Sequence, residues 1–283
     1  MRTFARRSFE NVTPAPVRVL GLAVGLAVLL GGCVPDRNDI TGSIAPAAST
    51  TGDLRAESTK WGERYRANPT DKAAALNYAR TLRGLTQFNQ AVAVLESAAI
   101  KTPYDQDILA AYGKALADAG RLKEAAEVLP RAYTPDNPNW SVLSSQGSVA
   151  DQLGDHVQAQ NFYMTALKIK PGDPGVLSNL GLSLALSNRL SDAERAMRQA
   201  AQSPAADMRV RQNLALVLAL QGKFGEAEQI AQQDLSPTDA AASVASIRTM
   251  IAQSNTWRAI QQSGTRGKTA AAASPKMAVA QND

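Results

Sequence analysis

The sequence predicts an all-α fold, a solenoid of about five helix–turn–helix units. Three observations predict it. Alanine recurs at one constant interval along the chain, small residues and leucines keep the same interval, and glycine or asparagine occupies a fixed position in most intervals. A constant interval of this kind is typical of chains that stack pairs of helices. The chain therefore consists mainly of repeated units.

The alanine column is the clearest of these signals. Its members are Ala91, Ala125, Ala159, Ala193 and Ala227. Twelve positions before each alanine stands another small residue, namely Ala79, Gly113, Gly147, Gly181 and Ala215. Two helices that cross closely leave room only for glycine or alanine where they meet. A further alanine column, seven positions after the first, breaks at Asp234, where we expect the array to end.

A turn-forming column separates the two helices of each unit. Its members are Gly120, Gly154, Asn188 and Gly222, with Thr86 as the exception. Glycine and asparagine supply the left-handed residue that ends a helix, and prolines near the end of each unit stop the second helix. The predicted units are 72–105, 106–139, 140–173, 174–207 and 208–241.

Each unit, with this order of small residues, leucines, alanine and proline, resembles the tetratricopeptide repeat. The period of that repeat equals the interval of thirty-four positions from Ala91 to Ala125. The units together cover 170 of the 283 residues. The resemblance implies a right-handed solenoid, with two helices in each unit and no sizeable sheet.

Residues 1–32 have the composition of an export signal. Four arginines precede an uncharged run from Val19 to Gly32. Such a run is too short to span a bilayer, which needs about 20 residues, and suits the core of a secretory signal. We predict a lipoprotein signal peptide over 1–32.

The uncharged run ends in Leu30-Gly31-Gly32-Cys33, which resembles a bacterial lipobox. Cys33 is the only cysteine of the chain, and an unpaired cysteine in an exported protein needs an explanation. The resemblance implies cleavage before Cys33 and attachment of several acyl chains, which gives stable membrane binding. The alternative is an ordinary thiol within an uncleaved anchor. Val34 after the cysteine implies sorting to the outer membrane, with the protein facing the periplasm.

The remaining segments flank the repeats. Composition predicts a flexible tether, then an N-terminal capping helix, and after the array a C-terminal capping helix and a disordered tail. Their predicted ranges are 33–52, 53–71, 242–262 and 263–283. Ser236 or Thr238 is the expected N-cap of the last helix, and Val244, Ile247, Ile251 and Trp257 mark its apolar face.

The charge distribution does not support a nucleic-acid-binding protein. The chain has 30 basic and 25 acidic residues, but the excess lies in 1–32 and 263–283, so that 33–262 carries 23 of each. A basic groove is therefore not expected. Catalytic motifs are absent, and the single histidine, His156, is predicted to be a packing residue of a second helix. We expect no enzymatic activity, no cofactor, no metal and no small-molecule substrate.

The repeat resemblance also implies a binding groove. In such repeats, fixed positions of the first helix usually point into the concave face. The groove is then mixed in charge at its N-terminal end, serine-lined in the middle and leucine-lined at its C-terminal end. The candidate groove residues are Leu76, Arg80, Lys114, Ser144, Ser148, Leu182, Leu186, Leu216 and Leu220.

Two interpretations of the four C-terminal leucines stay open. They receive an amphipathic or apolar segment of a partner protein, or the chain's own last helix covers them through Ile247 and Ile251. The asparagines Asn77, Asn179 and Asn213 occupy positions where this repeat usually has asparagine.

The whole pattern resembles the TadD-type tetratricopeptide lipoproteins of tight-adherence (Tad/Flp) pilus systems. The stretches Leu235-Ser236-Pro237, Ile247-Arg248-Thr249-Met250 and Asn255-Thr256-Trp257 carry the most specific part of this resemblance. It implies a pilotin-like scaffold that binds the pilus secretin or other Tad components and supports their assembly or localisation. No catalytic residue carries over, and Cys33 is the only site that does.

Two other classes remain. One is a general outer-membrane or peptidoglycan-associated scaffold lipoprotein of the same architecture. The other is an accessory subunit of an envelope hydrolase, which the missing histidine and nucleophile motifs disfavour.

Overall fold

Paired helices fill the five predicted units. A computed structural model describes residues 51–253, which contain no strand and only an isolated bridge between Thr134 and Asn137. The helices are α1 (Thr51–Ala67), α2 (Lys72–Gly84), α3 (Phe88–Lys101), α4 (Gln106–Asp118), α5 (Leu122–Val128), α6 (Trp140–Gln152), α7 (His156–Ile169), α8 (Pro174–Leu186), α9 (Leu190–Ala201), α10 (Met208–Leu220) and α11 (Phe224–Ala231). A last helix, α12, begins at residue 237 and is described to residue 253.

The first helices of the units form a continuous layer. Each of α2, α4, α6 and α8 packs against the first helix of the next unit, whereas α3, α5, α7, α9 and α11 make no such contact with one another in the described part of the chain. Because successive first helices are in contact and successive second helices of the described chain are not, the stack of units curves toward the first helices. The first helices therefore line the concave face, and the predicted all-α solenoid is confirmed.

An acidic or amide residue caps the first helix of every unit. The five N-caps, Asp71, Asp105, Asn139, Asp173 and Asp207, each accept hydrogen bonds from backbone N–H groups of the first turn. Such caps satisfy donors that a helix start leaves unpaired. They recur at the same interval as the alanine column, so the sequence itself carries this signal, which the prediction of the fold did not use.

In all five units, the residue at the turn position has a left-handed backbone conformation. Its φ angle is +75° at Gly120, +88° at Gly154, +60° at Asn188 and +79° at Gly222. Thr86, the exception in the sequence column, also has a positive φ of +59°. In every unit the next N–H donates to the carbonyl five positions before it, at 2.8–2.9 Å. Thr86 is therefore a full member of the turn column, despite its β-branched side chain.

The crossing columns are as tight as predicted. All five alanines of the main column have no exposed surface. A Cβ on Gly113, Gly147 or Gly181 would lie 2.5–2.8 Å from Leu129, Tyr163 or Met197, respectively, each sixteen positions further on. This constant offset shows that the two helices of each of these units cross at the same point.

The second unit departs from the pattern. Helix α5 ends at Val128 and continues as a 3-10 helix, Leu129–Ala132. Pro130 accounts for the change, because proline has no N–H for an α-helical hydrogen bond and its ring clashes with the preceding turn. Leu129 and Ala132 nevertheless stay buried, so the crossing with Gly113 is kept.

Both ends of the described array carry an extra helix. Helix α1 begins at Thr51, within the predicted tether, and packs on α2 with Gly62 against Tyr78. At the other end Ser236 accepts a hydrogen bond from the Asp239 N–H at 3.2 Å and caps α12. The predicted signal 1–32, Cys33, the rest of the tether, Trp257 and the tail lie outside the described residues.

Candidate binding groove

The groove candidates lie on the first helices α2, α4, α6, α8 and α10, and they differ in accessibility. Leu186 is 49% exposed and Arg80 is exposed, whereas Ser144 is buried with 1% exposed. The half-buried candidates are Leu76, Lys114, Ser148, Leu182, Leu216 and Leu220. A partner in the groove would therefore meet Arg80 and Leu186 first.

The N-terminal end of the groove is bridged by ion pairs between units. Lys72 on α2 contacts Asp105 at 2.8 Å and Asp107 at 2.7 Å, and hydrogen bonds from its ammonium group to these two carboxylates raise its pKa. Arg83 contacts Asp118 at 2.5 Å. These acids are thus engaged by neighbouring cations, while Arg80 has no ion-pair partner among residues 51–253.

The serine side chains in the middle of the groove form hydrogen bonds with neighbouring side chains. Lys114 donates to Ser141 at 2.8 Å, Asn179 donates to Ser144 at 3.4 Å, and Gln152 approaches Ser148 at 3.4 Å. The prediction that Ser144 lines an accessible groove is therefore wrong, because close packing of α6 and α8 buries it beneath Asn179.

The C-terminal end carries the apolar surface. Leu182 and Leu186 are four positions apart on α8, and Leu216 and Leu220 are four positions apart on α10, so each pair lies on one helical face. Because α8 and α10 are in contact, the four residues form one surface, which we call the leucine patch. Leu182 also packs against the hydrophobic core, whereas Leu186 remains half-exposed.

Helix α12 joins the core beside this patch. Val244 is 2% exposed and belongs to a core cluster with Val217, Leu218 and Ala227, and Ile247 packs against that cluster. Val244 also follows Val210 at the interval of the repeat, so α12 continues the series of first helices. The described part of α12 therefore packs into the array and leaves Leu186 exposed.

A buried polar cluster joins the third and fourth units. The Asp151 carboxylate accepts hydrogen bonds from Ser183 at 2.7 Å and Tyr163 at 3.1 Å, and it contacts Nδ1 of His156 at 2.8 Å. Burial, with the nearby Asp151 charge, raises the pKa of Tyr163 well above its usual value. His156 is thus a polar partner of Asp151, and its prediction as a simple packing residue is incomplete.

This cluster lacks the geometry of a catalytic site. Ser183 donates to the Asp151 carboxylate at 2.7 Å, but it has no exposed surface, so a substrate cannot reach its hydroxyl. A nucleophile needs a neighbouring base within hydrogen-bond reach and access to substrate. The cluster therefore acts as a joint between α6, α7 and α8.

A second polar joint lies between the fourth and fifth units. Glu194 on α9 accepts hydrogen bonds from Lys223 at 2.7 Å, Gln221 at 2.9 Å and Arg198 at 2.7 Å. The hydrogen bond from Lys223 contributes most to lowering the pKa of Glu194 to about 2, against the opposing effect of burial. Arg198 extends the joint to Glu226 at 2.6 Å.

The break in the second alanine column has a local cause. Asp234, which stands where alanine is expected, forms two hydrogen bonds of 2.6 Å with Arg211 on α10. A two-bond contact between guanidinium and carboxylate is geometrically specific. Asp234 therefore fixes the segment between α11 and α12 to the fifth unit.

Comparison with known families accounts for this repeated geometry. Two family models, both described as tetratricopeptide repeat, match the chain over residues 76–139 and 178–240 for the first and 141–173 for the second. Together they cover more than half of the chain. This chain belongs to the tetratricopeptide-repeat family.

Individual relatives show how far the similarity of this tetratricopeptide-repeat protein extends. A curated relative, the probable biofilm formation methyltransferase WspC of Pseudomonas aeruginosa, is 32% identical over 92 residues, which is 32% of this chain and 22% of WspC. The matched region thus spans about a fifth of that relative.

Among solved structures, PilW, described as a widely conserved type IV pilus biogenesis factor, has a TM-score of 0.60 at 17% identity. The match covers 68% of this chain and 91% of PilW. The thermophilic tetratricopeptide-repeat protein TTC0263 of Thermus thermophilus has a TM-score of 0.53 at 22% identity, covering 59% of this chain and 91% of that one. These likenesses show the fold.

Between residues 51 and 253 no three histidine, cysteine or acidic side chains cluster as metal ligands. Over the same range, no helix combines the length and the apolar character needed to cross a bilayer. A shallow depression between Gly120, Glu124 and Leu153 lies outside the predicted groove positions.

Proposed function

We propose that this protein is a lipid-anchored, non-catalytic scaffold of the bacterial envelope. It binds a segment of a partner protein in its groove and supports assembly or localisation of the Tad/Flp pilus secretion apparatus, with the secretin as partner. The observation that carries the binding role is the leucine patch, with Leu186 49% exposed on first helices that are tied together by hydrogen bonds between units. A half-exposed leucine beside partly buried ones on a concave surface suits protein recognition.

The pilus assignment rests on the sequence. The C-terminal stretches from Leu235 to Trp257 resemble those of TadD-type lipoproteins, and the segment ending in Cys33 resembles a lipobox. PilW, described as a type IV pilus biogenesis factor, has the same repeat fold, which is compatible with such a role and supports the fold alone.

Co-purification from detergent-solubilised envelope tests the partner. We expect an affinity-tagged chain to recover the Tad secretin, and a strain that lacks the gene to assemble few pili. Normal piliation in that strain, with no secretin recovered, would contradict the pilus role. Recovery of peptidoglycan-bound or other outer-membrane proteins instead would favour the general scaffold, and recovery of an envelope hydrolase would favour the accessory-subunit alternative.

The lipid anchor has its own test. We expect Cys33→Ser to abolish incorporation of labelled palmitate and to move the protein from the membrane to the soluble periplasmic fraction, because acyl chains supply the membrane affinity. Ser43→Ala, a change in the predicted tether that leaves Cys33 intact, is the matched control. Unchanged labelling of Cys33→Ser would show that Cys33 is not the acylated residue.

A further inference from the structure

We propose that the groove receives an amphipathic helix of about 20 residues, with its apolar face on the leucine patch and an acidic end toward Arg80. This inference rests on the proposed binding role and specifies the chemistry of the partner.

The dimensions of the leucine patch suit one face of a helix. Leucines four positions apart on one helix are about 5–6 Å apart, and neighbouring packed helices lie about 8–10 Å apart. The patch is therefore about 6 Å by about 10 Å. Two or three apolar side chains at i, i+4 and i+7 of a partner helix cover such an area.

The groove offers few donors to an extended strand. An extended segment must find hydrogen-bond partners for its own backbone, and side-chain amides are suitable ones. Here Asn77 donates to the carbonyl of Ala73 at 2.8 Å, Asn179 to Ser144 at 3.4 Å and Asn213 to Ser178 at 3.0 Å. A helix forms its backbone hydrogen bonds internally, so it loses no hydrogen bonds when it binds to this surface.

Charge complementarity sets the polarity of the occupant. At the N-terminal end of the groove, Asp107 and Asp118 pair with Lys72 and Arg83. Arg80 is exposed and has no ion pair in the described part of the chain. The Asp107 side chain is 72% exposed, but Lys72 holds it at 2.7 Å. Arg80 is thus the cation at this end that an acidic side chain of the partner complements.

The distance between the two ends sets the length of the occupant. Arg80, Lys114, Ser148 and Leu182 follow one another at the constant interval of the repeat, one on each successive first helix. Three steps of about 8–10 Å give a separation of about 24–30 Å between Arg80 and the near edge of the leucine patch. A helix of about 20 residues spans this distance at roughly 1.5 Å per residue.

Fluorescence anisotropy with three labelled peptides, each of about 20 residues, tests the proposal on the full chain in detergent. The first peptide has an alanine–glutamine host, leucines at i, i+4 and i+7 near one end and two glutamates near the other. The second has two central prolines, and the third has glutamine in place of glutamate. Each peptide is made in both chain directions.

We expect the proline peptide to bind at least about tenfold more weakly than the first, because proline breaks the helix. Leu186→Ser should weaken binding of the first peptide about fivefold. Leu153→Ser, which changes a leucine of similar exposure (48%) outside the predicted groove positions, should leave it unchanged. Arg80→Gln should remove a preference of about threefold for glutamate over glutamine.

Equal affinity of the helical and proline peptides would overturn the inference, and so would a glutamate preference that survives Arg80→Gln. If no peptide binds and Leu186→Ser lowers the melting temperature, the chain itself covers the patch and the inference is wrong. Secretin recovery is measured separately. If the peptides fail to bind as expected but the secretin is still recovered, only this inference is wrong. Peptide binding without secretin recovery would remove only the pilus role.

Discussion

Single residues at fixed positions set the conformation of each unit. The left-handed turn was predictable where glycine or asparagine occupies it, but not at Thr86, whose residue type argues against a positive φ. There the packing of the flanking helices imposes the conformation, since the same 2.8 Å hydrogen bond from Gln87 to Leu82 closes the turn. The backbone strain at Thr86 therefore arises because the repeat requires a left-handed residue at this position.

Thr86→Gly should stabilise the protein by about 1 kcal/mol, because a left-handed conformation costs a residue with a Cβ roughly 1–2 kcal/mol and glycine relieves this cost while adding some freedom to the unfolded chain. Thr86 is exposed, so little packing is lost. Urea unfolding measures the change, with Asn188→Gly as a control that should gain less, because asparagine tolerates this region. An unchanged or lower free energy of unfolding for Thr86→Gly would show that the turn is not strained.

Gly147→Ala should destabilise the protein by about 2–3 kcal/mol. The new Cβ would lie 2.6 Å from the ring of Tyr163, and the Tyr163 hydroxyl is held by Asp151, so the ring cannot easily move away. Gly225→Ala is the control, because its Cβ meets nothing within 4 Å and alanine favours a helix. The two variants should change the free energy of unfolding in opposite directions, and a similar effect of both would refute the tight crossing.

The helices of the array pack through small residues and are linked by polar joints. The number of helices and their pairing followed from the columns of constant interval, because burial of small residues leaves a periodic trace in the sequence. The polar joints left no clear trace of this kind, because their residue types change from one unit to the next. The bond from Ser183 to Asp151 has no counterpart at the repeat interval, since Val149 and Ala117 stand there. The bond from Lys223 to Glu194 is matched one unit earlier by a bond between different residue types, from Arg189 to Gln160. Such bonds depend on crossing geometry that composition does not reveal.

The joint at Glu194 predicts a dependence of stability on pH. Its pKa is lowered from 4.5 to about 2 in the folded chain, so its contribution is fully present above the unfolded pKa and is lost as the pH falls through about 2. Glu194→Gln should therefore cost roughly 2 kcal/mol at pH 7, where the carboxylate is charged in both states. The difference from the unsubstituted protein should shrink from about pH 5 downward.

Chemical denaturation at pH 7, 4 and 2.5 measures this convergence. Glu228→Gln changes another glutamate of the same region, one that takes no part in the joint at Glu194, and is the matched control. A cost of Glu194→Gln that stays constant across the three pH values would rule out a carboxylate-dependent joint.

The whole molecule is an array whose concave face changes character along its length. The direction of that change, from charged to leucine-lined, was predictable from the residues at groove positions. Accessibility was not, because Ser144 sits beneath Asn179 and Leu182 shares in the core, and both depend on how closely successive first helices pack. Leu186 is the candidate that the packing leaves most clearly available for a partner.

Binding of a partner at the leucine patch is tested by comparing Leu186→Ser with Leu153→Ser. These leucines are 49% and 48% exposed, and the first lies in the leucine patch whereas the second lies outside the predicted groove positions. Each variant is melted and then used to capture the secretin from solubilised envelope. We expect Leu186→Ser to lose capture while its melting temperature stays within about 2 °C of that of the unsubstituted protein, since an exposed side chain contributes little to stability. We expect Leu153→Ser to keep both. Equal capture by the two variants, or a drop in melting temperature confined to Leu186→Ser, would contradict binding at the leucine patch.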